Sequence, residues 1–458
     1  MDPSLHKSRL RGLSAAVFGF GRAGRAAADF LLDAGAGVTV YDERETDPAA
    51  VAAARARGAR FVTGLFPMNV GADLLVRSPG LRPDCPALLS AVAAGGRLTS
   101  EMELFLANTK ALTVGVSGSD GKTTTATLTA ALFRAAGRRV FLGGNTGTPL
   151  LPVVGTMTAD DVAVLELSSF QLITVRRSPH TAVLTNLTPN HLDWHRDMAE
   201  YAAAKGNLFL HGAGRLVLPA DDAAVLDMTR EYTGERVWFS TDPAAFLPAH
   251  RTRVFAREGT LVLASPAGET VFPGFSSFPL IGAHNRRNLA AALGAAAPCI
   301  TPDAFEKTVP TLSPVPHRMT VVGGAGGVTF IDSSIDTTPS RTAAALSALD
   351  GRRAHVLLGG RGKNVSFAPL ATALGPHAAY LFGEAAGDIE KALTGRVFCT
   401  RCATFEAAFA AAASAARPGE VVLLSPACTS FDTFKDYQER GARFARLARA
   451  FCAERERC

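Results

Sequence analysis

Lysine is scarce in this chain. Of its 47 lysine and arginine residues, only eight are lysines. GC-rich coding bias accounts for the many arginines, but it does not explain why the few lysines fall in glycine-rich or motif-like segments. The lysines at such positions are therefore candidates for function.

Long apolar runs and basic blocks are also missing. No apolar run approaches the ~18 residues that cross a membrane, and the N-terminal apolar segment is broken by Gly19, Gly21 and Gly24. The net charge is only +6 and no block of five basic residues occurs, so no nucleic-acid partner is indicated. The mild positive charge fits small anionic substrates as well. We expect a cytoplasmic protein that is neither exported nor membrane-bound.

Cysteines are few and scattered. The seven cysteines are odd in number and widely spaced, which favours reduced thiols in the cytoplasm over a disulfide framework. Cys399 and Cys402 form a C-x-x-C pair, but no second pair accompanies them. We expect neither a metal nor a redox role for this pair.

The segment from Ala15 to Asp42 reads strand, glycine turn, helix and strand. Its turn is Gly19-Phe20-Gly21-Arg22-Ala23-Gly24, and Asp42 closes the second strand. These residues form a dinucleotide-binding fingerprint, which holds a pyrophosphate and a ribose. NAD is the default ligand for this motif, but a UDP-linked ligand offers the same pyrophosphate and ribose, so the motif cannot choose between them.

A second glycine-rich turn follows the β-branched run Thr113–Val116. Gly118-Ser119-Asp120-Gly121-Lys122-Thr123-Thr124 then leads into a helix-forming stretch. This is the order of a phosphate-binding P-loop, in which backbone amides surround the phosphates, the lysine reaches the terminal phosphates and the hydroxyl after it binds Mg²⁺. The strict pattern has glycine where Val116 stands, so the loop is a variant.

Three side chains beyond this loop could serve a nucleotide and metal site. Glu166 lies near the end of an apolar strand, where a buried carboxylate needs a metal or an ion-pair partner. His191 follows the strand Thr181–Leu187, and a structural role is the alternative. Lys205 lies on an Ala-rich helical stretch, where a solvent-facing lysine is the alternative.

The remainder divides into scaffold and a third α/β unit. Short alternating strands between Arg215 and Ser277 carry little chemistry, and Asn285 and Asn288 lie on one face of an Ala-rich helix. A linker is predicted at Pro314–Pro316. Beyond it, strands predicted at 328–332, 355–358, 379–382 and 421–425, with helices between them, favour a doubly wound arrangement.

The order of these motifs resembles that of the Mur ligase family. The matching segments are SGSDGKTTT, GGNTG, LELSSFQL, NLTPNHLD, the helix lysine Lys205, GAHNRRN, PHR, LLGGRGK and SPACTSFDTFKDYQERG. The resemblance implies an α/β protein of three domains. These are a Rossmann-like UDP-sugar domain over 1–108, a central P-loop ATPase-type domain with a mostly parallel sheet over 109–315, and a doubly wound C-terminal amino-acid-binding domain over 316–458 that swings in to complete the site.

The resemblance also implies an activity. An ATP-dependent ligase would join D-glutamate to UDP-N-acetylmuramoyl-L-alanine through an acyl phosphate, in peptidoglycan precursor synthesis, and would act as a monomer with two Mg²⁺ ions. ELSSFQL and the C-terminal motif are the segments that indicate D-glutamate. A sibling ligase with another amino acid and a non-catalytic UDP-sugar-binding relative are the alternatives. An NAD dehydrogenase would leave Lys122, Glu166 and Lys205 without a role.

By the same resemblance, individual residues receive roles. Lys122, Glu166, His191 and Lys205 would be catalytic, and Thr123, Glu166, His191 and a carbamylated Lys205 would bind metal. ATP would contact Gly118, Ser119, Asp120, Gly121, Lys122, Thr123, Thr124, Asn285, Arg318 and Asp332. The UDP-sugar substrate would contact Gly21, Arg22, Ala23, Asp42, Glu43, Arg44, Asn145 and Ser168, and D-glutamate would contact Thr337, Arg341, Lys363, Ser430, Phe431 and Tyr437.

One stretch departs from the family pattern. Many members carry DSKATN, whose aspartate serves ATP and whose lysine faces the incoming amino acid, whereas this chain has Ser333-Ser334-Ile335-Asp336-Thr337-Thr338. Ser333 and Ile335 occupy the aspartate and lysine positions. We expect Asp332 or Asp336 to replace the acid and Arg341 to replace the cation, with Thr337 contacting a carboxylate.

Overall fold

The computed structural model describes residues 5–44, 47–246, 251–349, 351–363 and 365–455. The chain forms two compact units, one of Met1–Phe278 with Arg287–Thr311 and the other of Pro279–Arg286 with Leu312–Cys458. Among the described residues, no helix is both long and apolar enough to span a bilayer. The three domain boundaries inferred from the sequence stay a prediction.

The first sheet of the first unit is a Rossmann-like parallel sheet. Its strand order is β3-β2-β1-β4-β5, and every neighbouring pair is parallel. The strands are β1 (Ser14–Phe18), β2 (Gly37–Asp42), β3 (Arg60–Thr63), β4 (Leu74–Arg77) and β5 (Arg97–Thr99), and the helices are α1 (Arg22–Asp33), α2 (Pro48–Ala56), α3 (Pro86–Ala93) and α4 (Glu101–Asn108).

The glycine turn between β1 and α1 requires its glycines. A Cβ atom at Gly24 would lie 1.9 Å from the carbonyl oxygen of Gly19, and Gly19 itself has a φ of 89°. Helix α1 therefore starts close against the end of β1. The predicted strand, turn, helix and strand are confirmed here.

The second sheet of the first unit has the order β14-β13-β12-β11-β10-β9-β6-β8-β7. It is parallel from β7 to β12, and β13 and β14 add an antiparallel meander. Its strands are β6 (Leu112–Ser117), β7 (Val140–Gly144), β8 (Val162–Glu166), β9 (Thr181–Leu184), β10 (Arg215–Pro219), β11 (Glu235–Phe239), β12 (Arg253–Arg257), β13 (Thr260–Ser265) and β14 (Gly268–Phe272).

Helices cover this sheet and position the site. Strands β8 and β9 are buried throughout, as expected for strands of a parallel sheet with both faces covered. The P-loop follows β6, which lies between β8 and β9, so the carboxyl ends of all three strands meet at one edge. The helices are α5 (Lys122–Ala135), α6 (Ser169–Leu172), α7 (Met198–Gly206), α8 (Ala223–Met228), α9 (Ala283–Ala296), of which the residues from Arg287 onward belong to this unit, and α10 (Pro302–Thr308).

The second unit contains a third sheet with the order β15-β16-β20-β17-β18-β19, in which only β15 is antiparallel to its neighbour among the described pairs. Its strands are β15 (Thr320–Ala325), β16 (Val328–Asp332), β17 (Ala354–Gly359), β18 (Ala378–Phe382), β19 (Phe398–Arg401) and β20 (Val421–Leu424). Its helices are α11 (Pro339–Ser347), α12 (Ala368–Ala373), α13 (Ala386–Leu393), α14 (Phe405–Ala415) and α15 (Tyr437–Arg455). The doubly wound prediction is confirmed.

Glu101 at the start of α4 makes stability depend on pH. Its side chain is buried, its Oε1 atom has no hydrogen-bond partner, and burial raises its pKa from 4.5 to about 7. The pKa of Glu101 is higher in the folded protein than in the unfolded chain. The contribution of protonated Glu101 to the free energy of unfolding is therefore complete below about pH 4.5 and is lost as the pH rises through 7.

We expect Glu101→Gln to remove this loss. A pKa shift from 4.5 to about 7 corresponds to about 3 kcal/mol. The free energy of unfolding of the variant should therefore exceed that of the wild type by up to this amount at pH 8 and by little at pH 4.5. Thermal unfolding across this pH range measures the difference. Glu306→Gln, at an exposed position, is the control, and a Glu101→Gln effect that does not change with pH would contradict the prediction.

Candidate active site

The P-loop of the first unit depends on two glycines in unusual conformations. Gly121 has a φ of 78°, and a Cβ atom there would lie 2.6 Å from Oδ1 of Asn288. A Cβ at Gly118 would lie 1.8 Å from Oγ1 of Thr185. Lys122 folds over the loop, where its Nζ donates to the carbonyl oxygens of Gly118 and Ser119 at 2.9 and 2.8 Å. The loop is therefore closely packed before any phosphate enters it.

Asn186, which the sequence did not single out, braces this loop. Its Oδ1 accepts from the backbone N–H groups of Ser119 at 3.1 Å and Asp120 at 2.9 Å. Ser119 Oγ also lies 3.0 Å from the Tyr201 hydroxyl. Asn186 is the first residue of the motif NLTPNHLD, so the sequence does mark the segment. Nothing in the segment distinguishes an asparagine that supports the P-loop from one that binds a ligand.

Glu166 lies at the end of β8 beside the loop that carries Asn145. Its Oε1 accepts from Asn145 Nδ2 at 2.9 Å, and the Asn145 N–H donates to the Glu166 carbonyl oxygen at 2.7 Å. The other oxygen, Oε2, is buried without a hydrogen-bond partner. A buried carboxylate oxygen that no protein group satisfies fits a metal ligand.

Lys205 is buried, so the solvent-facing alternative is wrong. Its side chain is 1% exposed, and Nζ donates to the Gly118 carbonyl oxygen at 2.7 Å. Nζ also lies 4.6 Å from the ring centre of Tyr201, one helical turn away. Burial, with a smaller contribution from the charge of Lys122, lowers the pKa of Lys205 well below its usual value. The amine is thus directed at the P-loop.

His191 lies in the loop after β9 with a φ of 56°, and its ring centre is 4.9 Å from that of Phe170. The neighbouring His195 was missed in the sequence. It is buried, its Nε2 lies 2.9 Å from Ser169 Oγ, and its Nδ1 lies 3.4 Å from Glu200. Within the described ranges, no three His, Cys, Asp or Glu residues form a metal cluster. A metal here would need hydroxyl, phosphate or water oxygens beside Glu166 and His191.

The first fingerprint lies in the same unit. Asp42 Oδ2 accepts from the Phe20 N–H at 2.6 Å and Oδ1 from the Arg44 N–H at 3.0 Å, which ties the end of β2 to the glycine turn. A pocket is lined by Phe20, Asp42, Arg44, Val51, Phe61, Val62 and Thr63. Arg22 Nη1 donates to the Gly147 carbonyl oxygen at 2.7 Å, in the loop that carries Asn145.

Two further arginines join the first sheet to the segments around the P-loop. Buried Arg77 donates to the carbonyl oxygens of Leu81 and Phe170, the latter at 2.6 Å. Arg82 pairs with Asp84 at 2.8 Å and with Glu200, at the start of α7, at 3.0 Å. No local pattern predicts the contacts of Arg77 with Phe170 and of Arg82 with Glu200, because these pairs lie 93 and 118 positions apart along the chain.

Ser168 takes a local role. It caps α6 as part of a capping box, in which its Oγ accepts from the Gln171 N–H at 3.3 Å and the Gln171 side chain bonds back to the Ser168 backbone. Gly21 is the residue before α1, Ala23 lies in its first turn and Glu43 follows β2. A role for any of these residues in binding substrate stays a prediction.

In the second unit, three predicted amino-acid-binding residues lie together. Lys363 Nζ donates to Thr337 Oγ1 at 2.9 Å, and Arg341 Nη1 donates to the Ile335 carbonyl oxygen at 3.4 Å. Arg341 also contributes to lowering the pKa of Lys363, after partial burial. The two cations are therefore close enough to interact. Ser430 is buried, whereas Phe431 is 62% exposed.

Two acids lie in or beside the segment 333–338, which departs from the family pattern, and both accept hydrogen bonds from other residues of the second unit. Asp332 Oδ2 lies 2.7 Å from His317 Nδ1, and its Oδ1 accepts from the Ser334 N–H at 2.9 Å. Asp336 accepts from Ser425 Oγ at 2.9 Å, and burial raises its pKa to about 6. The hydrogen bond to Asp332 raises the pKa of His317. Tyr437 packs against the same His317 ring at 6.1 Å.

Asn285 and Arg318 have local contacts in the second unit. Asn285 Nδ2 donates to the Ile281 carbonyl oxygen at 2.7 Å, and the Arg318 N–H donates to that of Val315 at 3.0 Å. Neither contact tests a role in binding ATP, so both assignments stay predictions.

Family models match most of the chain. The Mur ligase MurD-like N-terminal domain matches residues 14–100, the Mur ligase middle domain matches 116–296, and the Mur ligase glutamate ligase domain matches 317–428. The UDP-N-acetylmuramoylalanine–D-glutamate ligase of Acetivibrio thermocellus is 35% identical, with 96% of this chain and 97% of that protein covered. That of Symbiobacterium thermophilum is 37% identical, with 95% and 98% covered.

A solved structure has the same fold. The MurF ligase of Thermotoga maritima in complex with ADP matches with a TM-score of 0.57 at 17% identity, over 99% of this chain and 100% of that one. At that identity the match supports the three-domain α/β fold alone. The family models and the full-length relatives carry the assignment further: this chain belongs to the Mur ligase family.

Proposed function

We propose that this chain is an ATP-dependent ligase that joins D-glutamate to UDP-N-acetylmuramoyl-L-alanine in peptidoglycan precursor synthesis. The observation that carries the proposal is the similarity, over nearly the whole chain, to relatives named for this reaction. A dehydrogenase would have no use for a buried glutamate and a buried lysine beside a P-loop. We further propose a monomer that acts in the cytoplasm.

The proposed reaction has two steps. A carboxylate oxygen of the L-alanyl group attacks the γ-phosphorus of ATP, the bond to the β-γ bridging oxygen breaks, and ADP leaves. The amine of D-glutamate then attacks the acyl carbon, loses a proton, and expels phosphate to give the amide. Both steps concentrate negative charge on phosphoryl oxygens, so alignment and charge neutralisation supply most of the catalysis.

The P-loop would bind the ATP phosphates. Its backbone amides and the start of α5 provide donors, and Lys122 would turn from the carbonyl oxygens that it now contacts to the terminal phosphates. Mg²⁺ would be held by Thr123, Glu166, His191 and modified Lys205, and when bound it would neutralise phosphate charge. The orphaned Oε2 of Glu166 supports this assignment.

Lys205 would carry a carbamate. An uncharged amine adds CO₂ and loses a proton, which converts a side chain that repels metal into a carboxylate-like ligand. Support comes from the burial of Nζ, its position at the P-loop carbonyl of Gly118, and a pKa that favours the neutral amine.

The substrates would occupy sites on both units. In the first, Gly21, Arg22 and Ala23 would contact the UDP diphosphate, Asp42, Glu43 and Arg44 would lie near the uridine, and Asn145 and Ser168 would contact the muramoyl group. In the second, Asn285, Arg318 and Asp332 would serve ATP, and D-glutamate would contact Thr337, Arg341, Lys363, Ser430, Phe431 and Tyr437.

Phosphate release tests the proposal directly. With ATP, Mg²⁺ and UDP-N-acetylmuramoyl-L-alanine present, we expect phosphate to appear only when D-glutamate is added, because the acyl phosphate must be captured by an amine. L-glutamate and other amino acids serve as controls. Release with a different amino acid only would retain the ligase and change its specificity. No release under any condition would favour a non-catalytic UDP-sugar-binding protein.

A further inference from the structure

Arg440, at the start of α15 in the second unit, is the most completely buried arginine of the described ranges, with 0% exposure. Its partners among the described residues are backbone carbonyl oxygens and one hydroxyl. Nε donates to Ser334 Oγ, and Nη2 to the carbonyl oxygens of Ser334 and Cys428, all at 3.0 Å. Nη1 donates to the carbonyl oxygens of Thr429 and Gly359 at 3.1 and 3.4 Å.

These five bonds use all five N–H donors of the guanidinium group. They also join three separate loops, which begin at the carboxyl ends of β16, β17 and β20, with Gly359 as the last residue of β17. Burying a guanidinium without a bonded carboxylate is costly unless each donor is satisfied. The arrangement therefore holds only while all three loops keep their positions around Arg440.

Each of these loops carries at least one residue of the proposed amino-acid pocket. Thr337 lies three residues after Ser334, Lys363 four residues after Gly359, and Ser430 directly after Thr429. The loops also bond to one another, because the N–H groups of Arg361 and Thr429 each donate to the other's carbonyl oxygen at 3.0 and 2.9 Å. Lys363 then reaches Thr337 at 2.9 Å.

The residue after Arg440 fixes the helix at this point. A Cβ atom at Gly441 would lie 2.1 Å from His317 Nδ1 and 2.7 Å from Asp332 Oδ2. Only glycine lets the start of α15 approach the His317–Asp332 pair so closely. The helix thereby holds the guanidinium at the meeting point of the three loops.

We propose that Arg440 is a positioning residue for amino-acid binding, which holds the loops carrying Thr337, Lys363 and Ser430 in the geometry that receives the carboxylates of the incoming amino acid. The proposal rests on the proposed function for the identity of that amino acid. Lysine cannot replace Arg440, because an ammonium has three donors and no planar fork to span three loops.

Steady-state kinetics of the full chain test this role. In Arg440→Lys we expect the KM for D-glutamate to rise by at least about tenfold, because displaced loops misplace the carboxylate contacts. The KM for UDP-N-acetylmuramoyl-L-alanine, which binds the first unit, should change by less than about threefold. Arg443→Lys is the matched control, since Arg443 lies on the same helix, is partly exposed and pairs with Glu406 at 2.8 Å.

Hydrogen exchange provides a readout that does not depend on the reaction. In Arg440→Lys, amides in the segments 333–337, 360–363 and 428–430 should lose protection together, while β17 and β20 keep theirs. If the wild type releases no phosphate with D-glutamate, the proposed function fails, yet this joint loss would still support the positioning role. Unchanged protection in the three segments, or equal changes in both KM values, would overturn it.

Discussion

Lys205→Ala is expected to reduce phosphate release by about 10³-fold or more, a loss comparable to that of a group that stabilises charge only in the transition state. The wild-type side chain is buried at the P-loop, where Nζ lies 2.7 Å from the Gly118 carbonyl oxygen. Without the amine no carbamate can form, so one metal ligand and its negative charge are lost together. Phosphate release at saturating substrates measures the effect.

Two additions separate a lost carbamate from a lost fold. Bicarbonate should not rescue Lys205→Ala, because the amine that would take up CO₂ is absent. Labelled bicarbonate should give a carbamate carbon signal by NMR in the wild type and none in the variant. Lys307→Ala, at a lysine that is 75% exposed and paired with Asp303, is the control and should keep the wild-type rate. A wild-type rate of phosphate release in Lys205→Ala would contradict the proposal that a carbamate on Lys205 is needed for the reaction.

The sequence predicts the fold correctly where a structural feature depends on residues that are close together in the chain. Two glycine turns predict where a strand of the first sheet and a strand of the second sheet give way to a helix, because only glycine allows the contacts at Gly24 and Gly118. Strand β15 (Thr320–Ala325) is not among the predicted strands, and its two glycines have low strand propensity. It forms because β16 offers a neighbouring edge, and such pairing is a tertiary effect.

The site was readable only in part, because motifs identify residues but not their partners. Lys205 looked like a possible surface lysine until the fold placed it beside Gly118, 87 positions earlier. Arg440 fell within a recognised motif, yet its five bonds reach residues up to 106 positions away. Asn186 and Arg77 likewise act through contacts that no local pattern encodes. The spacing of residues in a motif thus identifies candidate functional side chains, whereas the residues that hold those side chains in place are identified only by long-range contacts in the fold.

Lys363→Met is expected to raise the KM for D-glutamate by about 10- to 100-fold. A charge-assisted hydrogen bond to a carboxylate contributes about 1.5–3 kcal/mol, and the variant would lose one. Lys363 already points at a second proposed contact, since Nζ lies 2.9 Å from Thr337 Oγ1. The KM for UDP-N-acetylmuramoyl-L-alanine should stay near its wild-type value, because that substrate binds the first unit. Lys391→Met, at an exposed lysine, is the control.

The same assay shows whether Arg341 takes the place of the lysine that is common in the family. Arg341 Nη1 donates to the carbonyl oxygen of Ile335, which occupies the lysine position. Arg341→Met should therefore weaken D-glutamate binding, and adding Ile335→Lys should recover part of the loss, because a cation returns to nearly the same place. Ile335→Lys alone should gain little, since two cations are already present. A large gain in D-glutamate affinity from Ile335→Lys alone would mean that Arg341 is not an adequate substitute for the family's lysine. For Lys363→Met, an unaltered KM for D-glutamate would mean that the carboxylates of the amino acid bind elsewhere.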